Sequence, residues 1–188
     1  MLTELERPAV APGHIGALAE RLRLPSGFAD DAQTEPLLAR CLEFATALVE
    51  RLSGRAMAQR RFRLSVRRWN VAGRCEIPIA PVRQIEGIGL VDAAALRTDL
   101  DVESVQIDGL RFPGVLSARG GGGLPPIPKG GLAEIDMTAG FGPDWRDAPV
   151  DLREALLMIA ATSFEAPEAA QPPLGALRLI EPYRRLRL

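Results

Sequence analysis

Histidine is almost missing: His14 stands alone in 188 residues. A catalytic triad or a histidine-based metal site needs a set of partners, and no cysteine or serine motif lies near His14 to supply one. It opens a short helical pattern beside Gly13 and reads as a capping or surface residue. Cysteine is nearly as scarce. Cys41 and Cys75 make neither a disulfide framework nor a metal spacing. Cys41 falls in the apolar stripe of a helix, where a free thiol behaves as a small hydrophobe. Aromatics are only 5 % of the chain, so the core has to be built from Leu, Ile, Val and Ala. No stretch approaches the roughly 18 apolar residues of a membrane span. Nothing at the N-terminus has the shape of a signal peptide, because residues 1–6 are acidic and prolines follow. We therefore expect a protein made and kept in a reducing cytoplasm. The net charge of −1 gives the molecule as a whole no pull toward nucleic acid or membrane.

What is present is apolar periodicity. At 47 % apolar the chain is globular and sized for one ordinary domain with room for an inserted subdomain. Residues 1–13 hold Pro8 and Pro12-Gly13 and read as a flexible N-terminal arm. Ile15, Leu18, Ala19 and Leu22 are spaced for a short helix. Thr34 is placed as an N-cap, with Glu35 and Pro36 in the first turn. Leu37, Leu38, Cys41, Leu42, Ala45, Leu48, Val49 and Leu52 then keep helical spacing up to Gly54, a glycine just past a helix end.

From Arg55 the texture changes. Residues 60–69 alternate with Phe62, Leu64 and Val66 on one face. Residues 75–82 are extended, and their prolines mark an edge or a connector. Residues 85–91 alternate again. Residues 102–107 and 110–112 flank Asp108-Gly109, a hairpin signal. Residues 118–131 read as a glycine- and proline-rich loop, and residues 132–138 as a strand. The fold class is α+β: a small helical body with an inserted antiparallel β subdomain and a C-terminal arm. The expected division is 1–13 for the N-terminal arm, 14–54 and 148–181 for the body, 55–147 for the insertion and 182–188 for the C-terminal arm.

The last quarter is the most patterned. Ile135-Asp136-Met137-Thr138-Ala139-Gly140-Phe141-Gly142 alternates like a strand and breaks at glycine. Pro149 and Asp151 mark a helix start. Leu152, Ala155, Leu156, Ile159, Ala160, Ser163 and Phe164 then form one small-and-apolar stripe. Pro167 stops that helix, and Pro172-Pro173 stiffens the link to residues 174–188. The succession is strand, A-G-F-G, a helix with P-x-x-L-R-E-A, a proline-rich link, then L-I-E-P-Y-R-R. It resembles the head–tail connector (adaptor) proteins of long-tailed phages and gene transfer agents. An earlier block of the same family, D-D…L-L-A-R…A…V-E…L-S-G-R, is carried by Asp30-Asp31, Leu37-Leu38-Ala39-Arg40, Ala45, Val49-Glu50 and Leu52-Ser53-Gly54-Arg55. The two blocks cover about half of the chain.

The resemblance implies a structural protein with no catalysis, catalytic residue, metal or cofactor. It implies a homomeric ring, twelve copies in the family, between the portal protein and a downstream stopper or tail protein. DNA would pass through the channel without sequence-specific binding, and no membrane is involved. The place would be the neck of a virion or gene transfer agent particle, after synthesis in the bacterial cytoplasm. In the family the C-terminal segment meets the portal. Here that segment is amphipathic, so Leu177, Ile180, Tyr183, Arg184, Arg185, Leu186, Arg187 and Leu188 are the candidate portal interface.

Charge is segregated along the chain. Eight arginines and no acid lie between Arg51 and Arg74, both included. Six acids (Glu86, Asp92, Asp99, Asp101, Glu103, Asp108) oppose Arg97 alone in residues 84–110. These segments face each other either within one sheet or across subunits, as a head-to-tail ring permits. Arg60, Arg61, Arg63, Arg67, Arg68, Asp99, Asp101 and Glu103 are therefore candidates for a subunit interface. A second class of function is open: a nucleic-acid-binding protein using the Arg51-to-Arg74 segment. Arginines facing DNA give steeply salt-dependent binding, and arginines paired with acids give none. The glycines 120–123 with Lys129 lack the G-K-[ST] ending of a phosphate loop. Gly87-Ile88-Gly89 lacks the third glycine and the helix of a dinucleotide site.

Overall fold

The computed structural model describes residues 1–6, 12–25, 33–70, 72–109, 112–168 and 171–184. In chain order the elements are β1 (Leu2–Glu4), α1 (Pro12–Arg21), α2 (Thr34–Ser53), β2 (Arg60–Val66), β3 (Cys75–Ile77), β4 (Val82–Val91), β5 (Arg97–Leu100), β6 (Val105–Asp108), β7 (Gly114–Ala118), β8 (Leu132–Ala139), α3 (Val150–Glu165) and α4 (Leu174–Ile180). The chain divides into two compact units. One holds Met1–Arg7 and Ala58–Pro143, the other Pro8–Met57 and Asp144–Leu188. The fold is α+β, with a helical body and an antiparallel β subdomain.

The β unit is built on β8. It lies at the centre of a five-stranded antiparallel sheet of order β1-β2-β8-β4-β5. Its alternation works as the pattern predicts: Ala133, Ile135, Met137 and Ala139 are fully buried. Phe62 and Leu64 of β2 stand opposite Met137 and Ile135 on one side. Ile85, Ile88 and Leu90 of β4 stand opposite Met137, Ile135 and Ala133 on the other. Each of these larger side chains contributes about 1.5–3 kcal/mol by burial. A second sheet, of order β3-β7-β6, contributes the buried Cys75, Ile77, Val105 and Leu116. Burial pushes the Cys75 thiol up to about 11 and also raises that of Cys41.

The structure corrects several expectations. Residues 2–4 are not a loose arm: β1 pairs with β2, Leu2 opposite Leu64, because an unpaired edge of β2 is open to main-chain hydrogen bonds. The strands β6 and β7 do form a hairpin, but Asp108 pairs with Val115 and β7 starts at Gly114, so the connection is a five-residue loop and not a tight Asp-Gly turn. The stretch 118–131 is tied down. Leu124 is buried and its N–H donates to Gly73 O at 2.8 Å. Trp69 Nε1 donates to Pro125 O at 2.7 Å.

The helical unit packs α2 on α3, α3 on α4, and α1 on both α2 and α3. The stripes read from sequence are the contact faces. Leu38, Leu42, Ala45 and Val49 of α2 and Leu152, Ala155, Leu156, Ile159 and Ala160 of α3 are at most 2 % exposed. Thr34 is the first residue of α2 and not its cap; a proline two residues on is tolerated there because first-turn N–H groups lack helical partners anyway. The Leu-Ser-Gly-Arg block makes the exit. Ser53 Oγ donates to Val49 O at 2.7 Å, Gly54 turns left-handed at φ 67° with its N–H on Glu50 O, and Met57 N–H donates to Glu50 Oε1 at 2.8 Å. The C-terminal arm is helical as far as Tyr183. Glu181–Tyr183 is a 3-10 turn continuing from α4, where proline's missing N–H costs nothing.

Candidate functional site

The outward face of the five-stranded sheet is a ladder of ion pairs. Arg63 on β2 grips Asp136 on β8 with two bonds, Nε to Oδ1 at 2.6 Å and Nη2 to Oδ2 at 2.9 Å. Glu134 lies 3.6 Å from the same guanidinium. Arg97 on β5 crosses β4 to reach Glu134 at 2.7 Å, and also holds Asp99 at 2.7 Å. Arg61 holds Glu86 at 2.8 Å, and Glu86 in turn accepts from Thr138. The Arg63 bonds hold the Asp136 carboxyl below the usual carboxylate range, against a smaller opposing effect of burial.

Arg97 can cross β4 because of Gly89. A Cβ at that position would stand 2.4 Å from Arg97 Nε. The Gly-Ile-Gly sequence therefore clears a path for a side chain. Gly140 of the A-G-F-G block has a similar steric role: a Cβ there would lie 2.5 Å from Ala58 O, and its φ of 135° is one that glycine alone adopts readily. Arg83 donates to the carbonyls of Gly140 and Phe141, and Gln59 N–H donates to Gly142 O at 2.7 Å. The two chain segments that leave the β unit are thereby tied side by side.

The expected charged residues separate into two groups. Arg60 pairs with Glu4 at 2.6 Å, and Arg61, Arg63 and Asp99 are in the ladder. Asp101 caps a turn by accepting from Glu103 N–H at 2.9 Å. Arg67, Arg68 and Glu103 are exposed, and no ion pair forms on them among the described residues. The partners that sequence windows missed are Glu4, Glu134 and Asp136. The last two are the polar half of the β8 alternation, which is the signal that could have found them. Across the ladder, Arg61, Arg63 and Arg97 face Glu86, Asp99, Glu134 and Asp136, so the face has no excess positive charge for a nucleic-acid backbone.

In the helical unit three separated sequence blocks meet at Tyr183. The Asp151 carboxylate and the Arg55 guanidinium are both close to it. Burial, then Asp151, raises the tyrosine above its ordinary value. Of the expected portal residues, Leu177 and Tyr183 are half-buried, Arg184 is exposed and Ile180 is fully buried in its own unit. Arg185, Leu186, Arg187 and Leu188 lie outside the described residues. His14 is neither a cap nor a free surface residue. Its Nε2–H donates to Asp144 Oδ1 at 3.0 Å, and its ring meets the Trp145 ring edge-on at 5.1 Å. Arg146 also bonds Asp144 at 2.9 Å and holds its carboxyl far below the usual range. Among the described residues no group of three His, Cys, Asp or Glu side chains is placed to hold a metal. None of the described helices is long and apolar enough to cross a membrane.

A groove of about 180 Å³ lies between α2 and the end of α3, walled by Phe44, Leu48, Ile159, Pro167, Pro172 and Pro173. Phe44 is 55 % exposed on its rim, and Arg51 is the one charged side chain in its lining.

No family model and no curated protein matches the chain. Solved structures do. A chain in the neck of an empty gene transfer agent particle, computed with C6 symmetry, is 35 % identical with a TM-score of 0.85, over 100 % of this chain and 97 % of that one. A chain in the virion of a native gene transfer agent particle matches with the same identity, TM-score and coverage. The chain belongs to the head–tail connector (adaptor) family of phages and gene transfer agents. A further chain, from the neck of a native gene transfer agent particle computed with C12 symmetry, is 34 % identical with a TM-score of 0.79 and the same coverage. Because the match runs end to end, this connector shares both the helical body and the β unit with those neck chains.

Proposed function

We propose that this connector is the head–tail adaptor of a phage or gene transfer agent particle, a structural and non-catalytic component of the neck. The observation that carries the reading is the end-to-end likeness, at 35 % identity, to a chain of a gene transfer agent neck. Copies assemble into a ring about the neck axis, twelve in number, between the portal and a downstream stopper or tail protein, and DNA passes through without sequence-specific contact. The necks holding its relatives were computed with C6 and C12 symmetry, which supports a ring. Arg67, Arg68, Asp101 and Glu103 serve contacts between copies, since Arg60, Arg61 and Arg63 are already paired at home.

The portal grip lies on the outer side of α4 and the residues after it. Leu177 and Tyr183 offer half-buried apolar surface. Arg184, Arg185 and Arg187 pair with portal carboxylates while Leu186 and Leu188 fill apolar grooves. Ile180 has no part in it, being buried. The test is a chain truncated before Arg184. Its Tm should match that of the full chain, because α4 and the half-buried Tyr183 are kept, but it should fail to co-sediment with portal and should leave filled heads without tails. Normal co-sedimentation would refute the grip. Absence of the protein from purified particles would refute the adaptor reading itself.

A further inference from the structure

We infer that neighbouring copies lock together by a knob and a hole: the β4–β5 turn of one copy, tipped by Leu96, seats in the groove between α2 and the end of α3 of the next. This rests on the ring reading above and names the contact that builds the ring.

The knob is an apolar tip held still. Ala93, Ala94, Ala95 and Leu96 are all exposed, Leu96 at 69 %. Asp92 Oδ1 accepts from the N–H groups of Ala94 and Leu96 at 2.8 and 2.9 Å. Asp92 N–H donates to Leu96 O at 3.0 Å, and Ala95 N–H to Asp92 O at 3.1 Å. Ala95 stands at φ 63°, a conformation that alanine adopts at a cost and glycine does not. Strained backbone of this kind persists where the surroundings over-determine it, and it clusters at binding elements.

The hole has the matching chemistry. A cavity of about 150 Å³ accepts a benzene ring, so the 180 Å³ groove holds one leucine side chain. Its walls mix apolar side chains with the polar Thr162, Ser163 and Gln171, and its lining has Arg51 and no acid. The tip has Asp92 on one side and the Arg97–Asp99 pair on the other, one net negative charge. Arg51 opens the basic segment of the chain and the tip lies in the acidic one. Ring symmetry supplies the choice of partner. A contact repeated around an axis is head-to-tail, so every copy must present two different complementary patches. Among the exposed large apolar side chains of the described residues, Phe44 borders a cavity and Leu96 tips a hydrogen-bonded turn.

The experiment uses particles carrying Leu96→Cys together with Ser163→Cys, the second lining the groove. Mild oxidation should give a ladder of linked copies on a non-reducing gel, with the 96–163 disulfide identified by mass spectrometry, and neither single variant should give it. A wild-type copy number per portal without that link overturns the knob and hole and leaves the ring standing. A copy number unlike the portal's overturns both. Independently, Leu96→Asp should leave the Tm of the isolated chain unchanged and lower incorporation into particles at least tenfold, whereas Leu96→Met should incorporate normally. Wild-type incorporation of Leu96→Asp overturns the inference.

Discussion

Along β8, Ala133, Ile135, Met137 and Ala139 are sealed from water, while Glu134 and Asp136 on the other face are engaged by arginines from β2 and β5. Along α3 the buried residues run from Leu152 to Ala160, and the helix then ends beside an open groove. The central strand of the β unit has both faces answered within its own chain. Among the described residues, the helical unit leaves a groove open beside its α2–α3 pair. A protein whose work is to be joined shows its joints where internal satisfaction stops, and on that ground the groove, more than the arginine-rich sheet, is the surface to watch.

The comparison can be broken at its strongest point first. Leu42 on α2 is 2 % exposed, and Leu42→Ala should cost about 2–5 kcal/mol through lost burial and the cavity left behind. Hydrogen exchange should show the loss across α2 and α3 while β8 keeps its protection. Equal loss in β8 would mean that the units unfold as one.

On the β side, Asp136→Asn should cost about 1–3 kcal/mol at neutral pH, the range for hydrogen bonds to charged groups, read from denaturant melts. Asp136 and Asp144 both have depressed folded values. Their stabilisation is therefore complete above the unfolded carboxylate value of about 3.9 and fades as pH falls through the folded values. The wild-type Tm should drop in that acid window, and the Asp136→Asn variant should drop less.

A smaller effect sharpens the ladder. Gly89→Ala displaces Arg97, losing partly exposed ion pairs worth about 0.2–1 kcal/mol each, against a gain of about 0.4–1 kcal/mol from a less flexible unfolded chain. The net change should be near zero. In an Arg97→Ala background the same substitution should be stabilising, and that coupling is the readout. Smallest of all, Ala95→Gly removes left-handed strain and should raise stability by about 0.5 kcal/mol. A loss of stability would show the turn to be unstrained.

Much of this was legible beforehand, for physical reasons. The stripes of α2 and α3 and the alternation of β8 each bury one face against a partner, and periodicity reports that directly. β5 escaped notice because Arg97–Leu100 is a short edge strand with no buried residue. β7 was hidden because it follows Pro113 and starts at Gly114, residues that normally punctuate turns. The ladder partners were missed because windows along a chain do not see across strands: Arg63 and Asp136 are 73 positions apart yet face each other in register. The groove could not be read at all, since Phe44 sits off the α2 stripe and its neighbours come from α3 and the proline link.

The place of β8 in the sheet has a consequence for synthesis. The order β1-β2-β8-β4-β5 puts the last strand to leave the ribosome at the centre. β2 can pair with β1, and β4 with β5, before it is made, yet the two pairs join into one sheet only when residues 132–139 emerge. The packing of α2 likewise waits for α3, which is made later still. A product that ends before residue 132 therefore has no finished sheet, and one that ends before α3 has no packed helix pair.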